Sequence, residues 1–571
     1  MDASKKGIND IFNGNRILEI PFFQRSYVWN DIQWERLLED MEMISQAKKP
    51  YFLGSVILKQ QMTSTESIVG DKRTLIDGQQ RLTTLNIFFK VLCLKNDENH
   101  IFQRMFELVD GNLALWHNYN DISSFKKVLE LTSLEEVEGN SSIIKAYRFF
   151  SNKVDINKLD LHAILKNIMF VGIDLGVDED EQQIFDTINS LGVKLTTAEL
   201  LKNYFFSRDQ PEDFSRYWKE VFESDEETRN YWDEEITTGR LKRTFIDLFF
   251  YSYLQIKVQE KDINVSTKDK LEYSKVETLF ESYKNFINTY HLNKTDILVE
   301  IKEYAALFRE NFDSSISEKE MTSNYGIERI NNIIFGLETS TLIPYVLYVL
   351  RNNSDTKVIT ELFAILEAYL MRRMVVKATT KNYNQLFTDS LISNAILTKE
   401  DFVDYINKSA DKVNFFPSDA DLQEGFHNSK LINKQAAGII YFLESLIRNN
   451  DKQSTQLLGL KKYSLEHLMP KKWENNWGML DKPEDIAERN KKLLTLGNLA
   501  IITQSLNASI RDASWKIKVD GKGEKKPGLK HFSGGIETLS PYLELEVWNE
   551  QEIQERAEKL FKEAIGTWFV S

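Results

Sequence analysis

Apolar positions along the chain fall mostly at helical spacing. Trp34, Leu37, Leu38, Met41 and Ile44 recur every three to four residues and predict an amphipathic helix. Residues 51–59 (YFLGSVILK) read as a strand and 60–73 as a polar loop. At 74–86 (TLIDGQQRLTTLN) the pattern changes abruptly. Leu75 and Ile76 run into Asp77-Gly78, and Leu82, Leu85, Ile87, Phe88 and Phe89 then mark a core helix. This predicts a strand, a tight turn made by a glycine free to adopt unusual backbone angles, and a helix. Gln79, Gln80 and Arg81 fall on its first turn, where unpaired N–H groups and the helix dipole favour an anion. Residues 8–95 therefore read as an α/β unit with its polar motifs at loop and helix starts.

Further along, 100–180 is helical and ends in an apolar strand-like piece at 168–175. In 184–206 (IFDTINSLGVKLTTAELLKNYFF), Gly192 suits a helix C-cap, and Thr196 with Glu199 a capping box opening the next helix. That leaves Asn189, Lys202 and Asn203 as candidate polar contacts, against solvated helix surface as the plain alternative. Residues 210–450 are mostly helical and show no internal repeat. Within them 366–377 forms a helix carrying Arg372 and Arg373, read as surface or salt-bridged. Near the N-terminus, 20–30 (IPFFQRSYVWN) is aromatic and extended, because Pro21 opposes helix. Gln24 and Arg25 sit inside it.

The length of 571 residues exceeds one core and predicts several domains. Boundaries are placed at 1–205, 206–425 and 426–571, giving an α+β chain that is predominantly helical. Scarce proline and glycine (9 and 24) favour long helices over loop-rich β modules. The single cysteine, Cys93, excludes an intrachain disulfide framework. With no signal-peptide pattern and no apolar run of membrane length, the chain is expected to be cytoplasmic, with no membrane partner. A net charge of −14 does not mark a nucleic-acid binder, although the basic run 516–530 could act locally.

The second chemical signal lies at 463–473 (YSLEHLMPKKW) and 496–510 (LGNLAIITQSLNASI). Glu466-His467 follow a strand-like piece stopped by Pro470, and Asn498 and Asn507 stand nine apart. A carboxylate beside a histidine, an asparagine, and a second asparagine on a following helix is what a ββα metal-nuclease site requires. Hard oxygen ligands hold a divalent ion there, and a neutral histidine serves as general base for water.

Together, IPFFQRSYVW, LGSVIL, LIDGQQRLTTL, FDTINSLGVKLTTAELLKN and LEAYLMRRM resemble the N-terminal module of GmrSD-type, modification-dependent (type IV) restriction systems. YSLEHLMPKKW with LGNLAIITQSLN resembles their C-terminal HNH (His-Me finger) nuclease module. The resemblance implies a ParB/sulfiredoxin-like N-terminal module that binds and hydrolyses a nucleoside triphosphate and a C-terminal ββα-metal domain that cleaves DNA, on either side of the helical middle region read from periodicity. Carried onto this chain, it makes Asp77, Gly78, Gln79, Gln80 and Arg81 nucleotide-site candidates, with Gln24 and Arg25 nearby. His467 matches the general base and Asn498 the residue orienting the histidine loop. Asn507 matches a metal ligand, and Glu466 stands where an acidic ligand is often found. The last helix position of many HNH proteins is His, and a lysine often follows three residues on. Here these are Asn507 and Ile510, so DNA contacts are expected from Arg511, Lys516 and Lys518.

The function so implied is an NTP-regulated endonuclease using Mg or Mn to cut double-stranded, modified phage DNA in antiphage defence. A homodimer is compatible with cutting both strands. Two other readings stay open: an NTP-binding switch or adaptor whose nuclease fold only binds nucleic acid, and an abortive-infection nuclease acting on RNA or host DNA.

Overall fold

A computed structural model describes residues 2–13, 15–21, 26–61, 71–177, 196–206, 210–238, 241–409, 412–448, 456–523 and 526–570. The chain is α+β and mostly helical. It divides into two compact units, Met1–Trp218 and Lys219–Ser571, so the middle helical segment and the C-terminal segment share one unit.

The first unit is built on a mixed six-stranded sheet of β1 (Asp2–Gly7), β2 (Arg16–Glu19), β3 (Tyr51–Gln60), β4 (Asp71–Asp77), β5 (Leu115–Trp116) and β6 (Ile168–Leu175), in the order β1-β6-β3-β4-β2-β5. Strands β3 and β4 are antiparallel, while β3 and β6 run parallel. Side chains alternate across this sheet. Val56, Leu58 and Leu75 enter the main core, while Ile57, Ile76, Ile173 and Leu175 form a small cluster of their own. Helix α1 (Asp31–Ala47) buries the predicted stripe Trp34, Leu37, Leu38, Met41 and Ile44, and Asn30 caps its start.

Helix α2 (Gln79–Lys95) is buried on nearly every side, with Leu82, Leu85, Ile87, Phe88, Phe89, Val91 and Leu92 inaccessible. Each such side chain contributes roughly 1.5–3 kcal/mol on burial. Phe88 and Phe89 meet Phe150 and Phe106 at ring-centroid distances of 5.6 and 5.4 Å. This helix is the axis of the first core, and its start is thereby held firmly against the sheet.

One local reading changes: residues 71–73 belong to β4, where a polar loop was expected. Residues 1–20 supply two further strands, β1 and β2. Their charges are paired: across the sheet, Arg16–Asp71 at 2.7 Å, Lys6–Asp174 at 3.2 Å and Arg73 with Asp174, and along β4 itself, Arg73–Asp71 at 2.9 Å. Cross-strand ion pairs let a polar sequence form strands that its composition alone disfavours.

In the second unit, helix α3 (Thr356–Val375) runs through the core and is buried from Leu362 onward. Arg372 and Arg373, expected at a surface or in a salt bridge, are both buried. Arg372 donates to the carbonyls of Trp568 and Pro417 and pairs with Asp419 at 2.7 Å. Arg373 donates to the carbonyls of Val413, Phe415 and Thr379. Each guanidinium thus satisfies loop carbonyls that lack secondary-structure partners. Helix α4 (Asn433–Ile447) packs on an antiparallel pair, β9 (Tyr463–His467) and β10 (Leu499–Thr503), with His467 opposite Leu499. Helix α5 (Gln504–Ile510) follows β10 directly, then α6 (Trp515–Asp520) and α7 (Glu550–Thr567). A separate hairpin, β7 (Glu235–Thr238) and β8 (Leu241–Thr244), precedes them in the chain.

Candidate functional site

At the end of β4, Gly78 caps helix α2 with φ +100°, a conformation that costs glycine little. A side chain there would approach the Ser55 carbonyl and Val56 to about 3.3 Å. No side chain caps the start of the helix. Around it the predicted residues are held by β3. Ser55 Oγ donates to Asp77 (2.9 Å), and the Arg81 guanidinium donates to the Ser55 carbonyl (2.7 Å). Burial draws the Arg81 pKa down, and Asp77 opposes it.

Gln80 Oε1 accepts from the Val28 N–H (2.9 Å), tying the 26–28 segment to the helix start. Gln79 is buried, and its Oε1 has no hydrogen-bond partner among the described residues. Sequence reading missed Gly54. It takes φ +120° within an irregularity of the β3–β6 pairing, and a side chain there would come within 2.9 Å of the Arg81 guanidinium. A glycine inside a strand pattern was the available signal. Also missed was Asp121, which accepts from the Tyr27 N–H (2.6 Å). The Tyr27 hydroxyl in turn bonds Thr84 (2.7 Å). These contacts depend on partners far apart in the chain.

Thr196 and Glu199 form the expected capping box. Lys202 on that helix is buried, its ammonium 5.7 Å from the centre of the Trp218 ring, and Asn203 is half-buried. Gln24, Arg25 and Asn189, like Gly192, lie outside the described residues.

In the second unit, His467 ends β9. Burial, with Lys471 and Lys518 nearby, lowers its pKa to about 4, so the ring is neutral at pH 7 and can accept a proton. The turn after it is held by Asn498, which is wholly buried. Its Oδ1 accepts from the Met469 N–H (2.8 Å) and Trp548 Nε1 (3.0 Å), and its Nδ2 donates to the Met469 and Leu493 carbonyls (2.8 and 2.9 Å). Asn498 therefore acts through the backbone beside His467 and cannot itself reach a substrate. Arg556 on α7, also buried, donates to the carbonyls of Leu496, Gly497 and Leu499 and so braces the loop carrying Asn498. No local pattern marks Arg556 or Trp548 for this role.

Asn507 on α5 donates to the Leu465 carbonyl (2.9 Å) and Ser464 Oγ (3.2 Å), which orients its amide against β9. The Glu466 carboxylate is buried and hydrogen-bonded through Oε1 to Lys518, whose ammonium also donates to the His467 carbonyl (2.7 Å). Burial raises the Glu466 pKa and lowers that of Lys518, each opposed by the other's charge. Lys518, expected at DNA, is thus an interior cation with no surface to offer. Arg511 and Lys516 are exposed.

Among the described residues no cluster of three His, Cys, Asp or Glu side chains is poised to hold a metal. The Glu466 carboxylate and the Asn507 amide carry hard oxygen donors, the chemical type that Mg²⁺ and Mn²⁺ take.

Comparison with known families matches residues 8–206 to the GmrSD restriction endonuclease N-terminal domain. Residues 416–563 match the GmrSD restriction endonuclease C-terminal domain. No curated protein matches the chain. No helix among the described residues is long and apolar enough to cross a membrane. The two matches fall on the two places where polar side chains converge, one in each unit, and the chain belongs to the GmrSD family of restriction endonucleases.

Proposed function

We propose that the protein is an NTP-regulated, divalent-metal-dependent endonuclease that cuts foreign, modified phage DNA. The observation that carries this reading is the placing of His467 at the end of β9, with Asn498 gripping the next turn and Asn507 on the helix that follows β10; the lowered pKa of the imidazole agrees with it. In this reading His467 takes a proton from water as the water oxygen bonds to phosphorus and the bond to the leaving sugar oxygen breaks. Glu466 and Asn507 would hold Mg²⁺ or Mn²⁺, which when bound supplies Lewis-acid stabilisation of charge on the phosphate. Arg511 and Lys516 offer exposed cations to the DNA backbone, an attraction that weakens with salt.

The start of α2 is the nucleotide site in this reading. Uncapped N–H groups and a positive φ at Gly78 support a bound phosphate, and the unpartnered Gln79 Oε1 is an acceptor suited to a hydroxyl or amino group of the nucleoside. Arg81 contributes charge from a position fixed by Ser55. The two sites stand in different units, which fits nucleotide control of a separate cutting centre.

The test is His467→Ala assayed on differently modified DNAs, with and without each NTP and Mg²⁺ or Mn²⁺. Cleavage is expected to fall by about 10²–10⁴-fold, with folding and NTP turnover retained. If purified His467→Ala nicks DNA as well as the wild type, the assignment is wrong. In the same panel Arg81→Ala is expected to impair NTP binding and regulation first.

A further inference from the structure

We propose that Lys518 is a positioning residue of the nuclease centre, fixing both the Glu466 carboxylate and the main chain of His467. The proposal rests on reading Glu466 as a metal ligand. Lys518 reaches from α6 to the last two residues of β9 and is fully buried, as Glu466 nearly is. Its single ammonium serves two acceptors, Glu466 Oε1 and the His467 carbonyl. The bond through Oε1 restrains the carboxylate about its last bond, and with it the direction of the second oxygen. The bond to the His467 carbonyl fixes the peptide that follows the base.

On the far side of that peptide, the Leu468 N–H donates to the Asn498 main-chain carbonyl (2.9 Å), and the Asn498 amide grips Met469 at both N and O. His467 is therefore clamped from both sides: by Lys518 at its own carbonyl, and by Asn498 one and two residues on. Burying an ion pair seldom adds stability over an apolar pair of the same size, so stability alone is a poor reason for a lysine at this position. Orienting a ligand is a better one, since partners behind metal ligands typically govern affinity.

The experiment is Mn²⁺ binding to the full-length protein, by calorimetry and by the loss of the free-ion electron paramagnetic resonance signal. It is paired with kcat and KM for DNA cleavage. Lys518→Met is expected to weaken Mn²⁺ binding about 10–100-fold and to lower kcat with KM for DNA held within about twofold. Lys518→Arg, which can still donate to both acceptors, is expected to restore most of the loss. Glu466→Gln is expected to weaken Mn²⁺ binding at least as much.

Unchanged or tighter Mn²⁺ binding in Lys518→Met, with binding lost in Glu466→Gln, overturns the positioning role and leaves Glu466 a ligand. Mn²⁺ binding in Glu466→Gln equal to that of the wild type overturns the ligand reading, and this proposal with it. Should Lys518→Met fail to fold, Lys518→Gln, which keeps a donor and drops the charge, is measured in its place. There too, unchanged Mn²⁺ affinity and unchanged kcat overturn the proposal.

Discussion

All four hydrogen-bonding positions of the Asn498 amide are filled by the protein itself, and this decides what the residue can do. Removing it strands the Met469 N–H and carbonyl, the Leu493 carbonyl and the Trp548 indole in the interior. At about 1–3 kcal/mol for each group left unpaired, Asn498→Ala should destabilise the second unit by more than about 3 kcal/mol, measured by urea denaturation. Asn498→Asp keeps the acceptor but cannot donate, so it should not rescue. NTP binding by the first unit should be unaffected in either variant. At Cys93, burial pushes the thiol up to about 12. The native protein should therefore resist alkylation at pH 8 and react once unfolded, giving a direct readout for these stability measurements.

At the scale of elements, the two candidate sites share a device: a strand end is joined to a helix, and a neighbouring strand supplies backbone groups that hold the key side chains. In the first unit the irregularity in β3 at Gly54 makes room for the Arg81 guanidinium, which then bonds the Ser55 carbonyl. Gly54→Ala adds both a disfavoured φ and a contact of 2.9 Å with that guanidinium. It should cost about 1–3 kcal/mol in thermal denaturation and weaken the proposed NTP binding, while the proposed cleavage at His467 is spared. Normal NTP affinity in Gly54→Ala would show that the position of Arg81 is irrelevant to the nucleotide. In the second unit Ser464 and Leu465 play the corresponding part toward Asn507.

On the scale of the whole molecule, the middle helices and strands β9 and β10 belong to one compact unit. Their shared centre is Arg329, buried and paired bidentately with Glu367 at 2.7 Å, and bonded to Ser445 on α4 at 2.8 Å. Since α4 also packs on β9 and β10, damage at Arg329 should reach the candidate site at His467. Arg329→Leu leaves Glu367 charged and buried, at a cost of about 3–5 kcal/mol. The double variant Arg329→Leu/Glu367→Leu removes both charges and should be markedly less harmful. Chemical denaturation compares the two. Equal losses would mean that the uncompensated charge is not what matters.

Local pattern alone determined the elements that frame both sites: the α1 stripe, the turn at Asp77-Gly78 with its helix, the capping box at Thr196, the strand ending at His467 and the helix carrying Asn507. Those signals are periodicity, turn chemistry and capping, which act within a few residues and can be read in order. The strands of residues 1–20, the paired charges of β4, the burial of Arg372 and Arg373, and the bracing by Arg556 were decided by partners distant in the chain. The same holds for Lys518. In a basic run it reads as a solvated cation seeking phosphate; in the fold it stands inside, against Glu466 and His467, because α6 brings it to the end of β9. Sequence sets what charge a residue carries, and only the long-range packing decides whether that charge meets water, DNA or another side chain.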